Sequence, residues 1–395
     1  MASQSSRTPA EAGSPREILV MLKLAPPHFR PNSGYGGSYG DAQSTTARRR
    51  TAQQIARSNG LQLIDSWPMP LLGIDCYVMR LPSGLSAEAA IAQVTRHPMV
   101  AWSQPMHEYR SKSAVRRHGD PLSRAAPAAT SWRLADLHRV ATGRGVSIAV
   151  IDSKVETSHP DLAGQFVVVK DFVSTRPTSS ERHGTGVAGV IGAKANNGIG
   201  MAGIAPGARL MALRACWQTG STGSPTICNS LSLARALHFA IQRRAQVINL
   251  SVSGPSDVLI QKLIFLAQSS RTTVVAAFDP NLPAGGFPAS QPGVIAVAED
   301  SLQNIPSRVY AAPGRNVPTT QPGGRWNFVS GSSYAAAHVS GLAALVRQER
   351  RSPQAITFAR SADGSIDACG TLLHASGDCV CRCGALRQAE RPARP

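Results

Sequence analysis

The run Val146-Ser147-Ile148-Ala149-Val150-Ile151 constrains the fold more than any other stretch of this chain. It is apolar at five of six positions and shows no hydrophobic-in, polar-out alternation. A strand of that kind has to be covered on both faces, which is the situation inside a parallel sheet. Similar strand-length runs recur at 208–215, 247–252, 272–277 and 294–298, with helix-like segments at 183–193, 230–244 and 257–270. Strands alternating with helices predict an α/β fold with a doubly wound, mainly parallel sheet. Reactive side chains in such a sheet collect at the carboxyl ends of its strands.

Upstream the pattern changes. Residues 1–16 are polar with Pro, Gly and Ser and read as a disordered N-terminus. Residues 17–110 read as a small α+β domain, with strands at 17–24, 61–64, 76–81 and 100–103. Its helices fall at 51–59 and 86–96, the second opened by Ser86 as N-cap. A Gly/Ser/Tyr/Arg-rich stretch at 26–50 reads as a flexible insertion. A basic linker at 111–125 leads to the sheet domain at 126–352, and a Cys-containing tail occupies 353–395.

The net charge of +18, from 41 basic and 23 acidic residues, raises the question of a nucleic-acid partner. The charge is dispersed, with one three-residue run at Arg48-Arg49-Arg50, and aromatic content is only 5%. Few bases could stack on such a surface, so the reading is a basic exterior with no nucleic-acid partner. No apolar run is long enough to cross a bilayer, so no membrane partner is expected either.

Of the seven cysteines, Cys216 and Cys228 flank a Gly/Ser/Thr-rich loop that a disulfide would close. Cys369, Cys379, Cys381 and Cys383 crowd the C-terminus, where C-x-C-x-C spacing favours disulfides over zinc. The odd count leaves a thiol over, assigned to Cys76. Residues 1–16 contain no signal-peptide h-region, while the cysteine usage points to an oxidising compartment. Secretion or a periplasmic location is the expectation.

Chemistry is suggested first by Ser330-Gly331-Ser332-Ser333-Tyr334-Ala335-Ala336-Ala337-His338, which runs on into Leu342-Ala343-Ala344-Leu345-Val346. Small residues permit a tight bend, and the Ala-rich continuation predicts a buried helix. A serine at the mouth of that helix lies near unpaired N–H groups and the positive dipole end. Ser332 or Ser333 reads equally well as a plain N-cap. Asp152, closing the 146–151 strand, reads alone as a cap or a ribose ligand, and His183 alone as a structural helix opener. Together they supply a nucleophile, an imidazole to take its proton and a carboxylate to orient the imidazole, in the order Asp, His, Ser.

With those residues in view, the chain resembles the subtilisin-like serine proteases, the subtilases. Asp152-Ser153 follows a strand as in the family's D-[TS]-G, and His159-Pro160-Asp161-Leu162 repeats its H-P-D-L. His183-Gly184-Thr185-Gly186-Val187-Ala188-Gly189 matches H-G-T-x-V-A-G, and Gly331-Ser332-Ser333-Tyr334-Ala335-Ala336-Ala337 is similar to G-T-S-[MA]-A-x-P. The likeness covers about 120–348, including segments at 200–206 and 247–251. It implies Asp152 as orienting carboxylate, His183 as general base then acid, Ser333 as nucleophile, and Ser251, Val252 and Ser253 as a strand that binds substrate. It further implies protein or peptide substrates, a monomer, and an N-terminal domain acting as inhibitor and chaperone until self-cleavage near 111–125. No cofactor is expected. Calcium is frequent in the family, but no compact acidic loop marks a metal site here. His159 and His338 read as structural.

The match departs at identifiable places. Lys154 replaces the glycine after Asp152-Ser153, Ser332 replaces threonine and Ala337 replaces proline. Ser253 stands where glycine is usual and narrows the primary pocket. The family's oxyanion donor is an asparagine in Ala-Ala-Gly-Asn. Here Ala276-Ala277-Phe278-Asp279-Pro280-Asn281 puts Asp279 in that place, with Asn281 two residues on. An ionised aspartate cannot donate a hydrogen bond. Two readings follow: an active, self-processing endopeptidase, or a catalytically weak or inactive relative that binds peptide segments.

Overall fold

The computed structural model of the chain describes residues 16–24, 39–110, 114–116, 122, 125–173, 179–218, 225–350, 355–361 and 364–376. The chain divides into two compact units, Met1–Glu108 and Tyr109–Pro395.

The first unit contains β1 (Glu17–Lys23), α1 (Tyr39–Ser58), β2 (Gln62–Met69), β3 (Ile74–Arg80), α2 (Ala87–Val94) and β4 (Val100–Pro105). The strands form one antiparallel sheet in the order β2-β3-β1-β4. Alternate residues of β1, Ile18, Val20 and Leu22, enter a core with Ala52, Ile55 and Ala56 of α1 and Ala90 and Val94 of α2. That is the period-2 face of a strand meeting the apolar stripes of two helices. Ser86 caps α2 as expected, its side chain accepting from the Ala89 N–H at 3.2 Å. One expectation is corrected. The stretch 26–50 is not all insertion, because α1 begins at Tyr39 rather than at residue 51. Its polar composition hid it, yet Arg, Gln and Ala are good helix formers. Arg48 from this helix pairs with the buried Asp75 of β3 at 2.5 Å. Cys76 is a buried thiol in the same strand.

At the boundary lies β5 (Glu108–Arg110). The second unit then runs β6 (Ala114–Arg116), α3 (Pro127–Ser131), α4 (Leu134–Val140), β7 (Ser147–Asp152), β8 (Phe166–Asp171), α5 (Arg182–Gly192), β9 (Arg209–Arg214), β10 (Cys216–Gln218), β11 (Thr226–Asn229) and α6 (Ser230–Gln242). It continues with β12 (Val247–Leu250), α7 (Val258–Ser269), β13 (Thr273–Ala277), β14 (Ile295–Glu299), β15 (Tyr310–Ala312), β16 (Val317–Gln321), β17 (Arg325–Ser330), α8 (Ser332–Glu349) and α9 (Ala368–Ser376). Seven strands form the main sheet in the order β15-β14-β13-β12-β7-β9-β8. Every pairing in it is parallel. This is the doubly wound α/β sheet the sequence predicts, and order reverses beside β7, where ligand crevices form. Ile148, Val150, Val247, Val275 and Val297 of the sheet share a core with Val187 and Val190 of α5 and the Ala-rich face of α8.

Sequence patterning did not identify β8, an edge strand with four exposed residues among six. It also missed β16, whose residues are all buried although Thr319, Thr320 and Gln321 are polar. The threonine hydroxyls donate into α5, Thr319 to the Gly186 carbonyl at 2.6 Å and Thr320 to the Thr185 carbonyl at 2.7 Å. A Cβ at Gly189 would lie 2.3 Å from Thr320 Oγ1, so α5 needs glycine there to approach the strand. Ala114–Arg116, inside the stretch read as a linker, pairs antiparallel with β17, with Ala114 opposite Ser330. Past residue 352 the chain is still part of the core, through Phe358, Ile366, Ala368 and Leu372. Cys379, Cys381 and Cys383 lie outside the described residues, and Cys369 is disulfide-bonded.

Cys216 and Cys228 sit opposite each other in the β10–β11 hairpin and are joined by a disulfide across a separation of 12 residues. A closed loop of that length restricts the unfolded chain by about 3 kcal/mol. Replacing both cysteines with serine is therefore expected to lower the thermal midpoint, read by calorimetry without reductant. An unchanged midpoint would contradict this role.

Candidate active site

Three element ends converge at the carboxyl edge of the sheet. β7 ends in Asp152, which is fully buried. Its Oδ1 accepts from the Ser153 N–H at 2.6 Å and lies 2.7 Å from His183 Nδ1. A carboxylate only accepts, so the proton sits on Nδ1 and Nε2 is left with its lone pair. His183 Nε2 has no hydrogen-bond partner among the described residues. His183 is the second residue of α5, and Gly184 after it donates its N–H to Ser153 Oγ at 2.9 Å. A Cβ at Gly184 would stand 2.2 Å from the Ser153 carbonyl oxygen, so only glycine lets the helix start this close to the turn.

Ser333 is the second residue of α8. The capping alternative does not hold, since the N-cap is Gly331 at φ 139° and no side chain caps the helix. Ser333 Oγ donates to the Ser251 carbonyl at 3.1 Å, and Ser251 Oγ returns a bond to the Ser333 carbonyl at 2.9 Å. Asn249 Nδ2 donates to Ser251 Oγ at 2.9 Å, and Ser340 Oγ to Asn249 Oδ1 at 2.9 Å. This buried chain fixes the mouth of α8 against the end of β12. The Tyr334 ring lies 5.7 Å from the His183 ring, which brings the starts of α8 and α5 together.

The turn after Asp152 is built without the usual glycine. Lys154 donates its N–H to Glu181 Oε2 at 2.7 Å, and Glu181 donates its own N–H to the Lys154 carbonyl at 2.7 Å. Nothing in the sequence distinguished Glu181 from an ordinary acidic residue in a first helical turn. Burial pushes its pKa up, the Lys154, Gln218 and Arg214 contacts pull it back, and nearby Asp152 adds to the rise.

Register across β12 and β13, Leu250 opposite Ala276, sets the segments that follow them side by side. On one side are Ser251, Val252 and Ser253, all buried, and Gly254 bridges to Phe287 through N–H to O distances of 2.8 and 2.9 Å. On the other, Asp279 is buried, donates its N–H to the Gly285 carbonyl at 2.9 Å, and through Oδ1 accepts from Asn281 N at 3.0 Å and Nδ2 at 3.2 Å. Asp279 and Asn281 are thus partners within one loop rather than alternatives. Sequence reasoning gave Phe278 no part here, yet its ring lies so close over Gly285 that a Cβ there would meet it at 2.1 Å. Ser253 Oγ lies 3.4 Å from the Gly285 carbonyl, so Phe278 and Ser253 close on the same glycine.

His159 and His338 have structural surroundings. His159 Nε2 lies 2.8 Å from the Arg325 carbonyl. His338 Nδ1 donates to the Tyr334 carbonyl at 2.8 Å, and burial drives its pKa from 6.5 to about 4 despite that bond. Folding therefore resists its protonation. The stability is complete above pH 6.5 and is lost as pH falls towards 4, by about 3 kcal/mol. His338→Gln is expected to flatten the difference between urea midpoints at pH 7 and pH 4.5. An unchanged difference would show that another group carries it.

Among the described residues no three His, Cys, Asp or Glu side chains gather as ligands for a metal ion. The fully buried Asp161 carboxylate accepts from Asn197 Nδ2 at 2.7 Å, Met201 N at 3.1 Å and Trp326 Nε1 at 2.7 Å.

The description "Subtilase family" matches residues 143–362. The chain is 32% identical over 280 residues to the thermophilic serine proteinase of Bacillus sp. (strain AK1), covering 67% of this chain and 68% of that protein. It is 34% identical over 232 residues to thermitase of Thermoactinomyces vulgaris, covering 56% and 81% respectively. Fervidolysin of Fervidobacterium pennivorans, a keratinolytic enzyme related to subtilisin, shares the fold with a TM-score of 0.67 at 19% identity. That likeness covers 90% of this chain, which spans 60% of fervidolysin's length. No helix among the described residues is long and apolar enough to cross a membrane. With motifs, sheet and relatives in agreement, the chain belongs to the subtilase family and is a serine-type endopeptidase.

Proposed function

We propose that the chain hydrolyses peptide bonds through Ser333, His183 and Asp152, by way of an acyl-enzyme. The observation that carries this is the Asp152–His183 bond at 2.7 Å with Nε2 left unbonded, at the edge where α8 begins. Ser333 Oγ turns from the Ser251 carbonyl towards His183 Nε2, which takes its proton as the oxygen attacks the substrate carbonyl. Asp152 holds the tautomer and stabilises the imidazolium, which then protonates the leaving amine. Water repeats the sequence to release the acyl group. Apo hydrogen bonds to a nucleophile are commonly displaced in this way before substrate arrives. The segment Ser251-Val252-Ser253 is the strand along which a peptide lies. The Ser333 N–H at the mouth of α8 is the remaining oxyanion donor.

The first unit is proposed as an inhibitor and chaperone, the product as a secreted or periplasmic monomer, and 111–125 as the site of self-cleavage. Support for the last comes from β6, whose Ala114 sits opposite Ser330, three residues before Ser333. Intact mass spectrometry tests the reading. The purified chain is expected to lose its N-terminal segment and begin within 111–125, while Ser333→Ala stays at 41.6 kDa. Identical masses for the two would remove self-processing from the account.

A further inference from the structure

Beside the Asp152–His183 pair lies an acidic residue that the motifs do not include, Glu181. Glu181 is 8% exposed and precedes α5 as its N-cap residue, but its side chain caps nothing in that helix. The carboxylate reaches two other elements. Oε2 accepts the Lys154 N–H at 2.7 Å, two residues past Asp152. Oε1 accepts the Gln218 N–H at 2.8 Å, at the end of β10. Gln218 answers through its own side chain, Oε1 accepting the Arg182 N–H at 2.9 Å. The backbone of Glu181 donates to the Lys154 carbonyl. Three segments, the turn after β7, the first turn of α5 and the end of β10, are therefore joined at one buried carboxylate.

We propose that Glu181 is a positioning residue for Asp152 and His183: by accepting the Lys154 and Gln218 N–H groups together, it sets the turn that carries the carboxylate and the helix start that carries the imidazole in one geometry. This rests on the proposed roles of Asp152, His183 and Ser333. The charged groups around Glu181 are Asp152 from β7, Arg214 from β9 at 3.5 Å, and Asp171 from β8, which itself holds Arg214 at 2.9 Å, with Arg182 and His183 on its own helix.

Ionised Glu181 can accept both N–H groups, whereas a protonated or amide side chain presents a donor to one of them. Burial favours the protonated form of Glu181, while the Lys154 and Gln218 N–H groups favour the carboxylate. Losing one of those bonds is expected to cost stability too, so the positioning role is read from the split between kcat and KM.

The test is Glu181→Gln in the full chain, with Ser333→Ala as the control for turnover. Expected is a kcat lowered about tenfold to a hundredfold with KM unchanged. Glu181→Asp, which keeps a carboxylate on a shorter stem, is expected to retain more of kcat than Glu181→Gln. A Glu181→Gln chain with unaltered kcat, or a Glu181→Asp chain no better than Glu181→Gln, overturns the positioning role alone. Absence of any Ser333-dependent turnover in the unaltered chain overturns the proposed function and this role together.

Discussion

Replacing Ser333 with alanine is expected to lower kcat about 10⁶-fold, the order seen when a subtilisin loses its serine, a magnitude carried over from that relative rather than derived. The physical reason is that the proposed mechanism carries the acyl group on Ser333 Oγ at the start of α8, while among the described residues His183 Nε2 has no hydrogen-bond partner and is left to take its proton. Ser332 Oγ is engaged elsewhere, accepting from the Glu299 N–H at 3.4 Å. A residual acceleration of about 10³ over water should persist from binding and the oxyanion site. The fold should survive, since one hydrogen bond to the Ser251 carbonyl is lost, worth about 1 kcal/mol. Steady-state hydrolysis of a chromogenic peptide, with thermal unfolding in parallel, checks both statements. A variant keeping more than about a hundredth of the activity would move the nucleophile elsewhere.

The second large effect runs the other way. Asp279→Asn is expected to raise kcat about 10²-fold, the order associated with one oxyanion donor, again a subtilisin magnitude. Asparagine has the same shape, so Oδ1 can continue to accept the Asn281 N–H seen at 3.0 Å, while Nδ2 becomes a donor where the carboxylate had none. The new bond forms to charge that exists only in the transition state, so KM should hold. Wild-type kinetics in this variant would mean that another donor already serves the oxyanion.

Much of this was legible from residues, and what was not has a physical cause. The runs that became β7, β12, β13 and β14 are apolar because both faces of the sheet are covered, so their unbroken hydrophobicity located them. Asp152, His183 and Ser333 were singled out by their places at element ends and by resemblance to the subtilase motifs, and the fold puts them at a strand end and at two helix starts. The β16 strand was not, because its threonines are buried by bonding to α5 carbonyls, and hydropathy cannot see a hydrogen-bond partner. The start of α1 was hidden by polar residues on a helix whose apolar stripe is narrow. Glu181 looked like a helix-start acid, and its real partners, Lys154 and Gln218, are 27 and 37 residues away. Asp279 was flagged against Asn281 as a choice, whereas the fold makes them a pair.

The central claim is that Ser333 is a nucleophile activated by His183 and Asp152. The most direct measurement is covalent labelling with a fluorophosphonate followed by peptide mapping. A single adduct on Ser333, absent from Ser333→Ala, is the predicted result. No adduct on the folded, unaltered chain, or an adduct on a different residue, would contradict it.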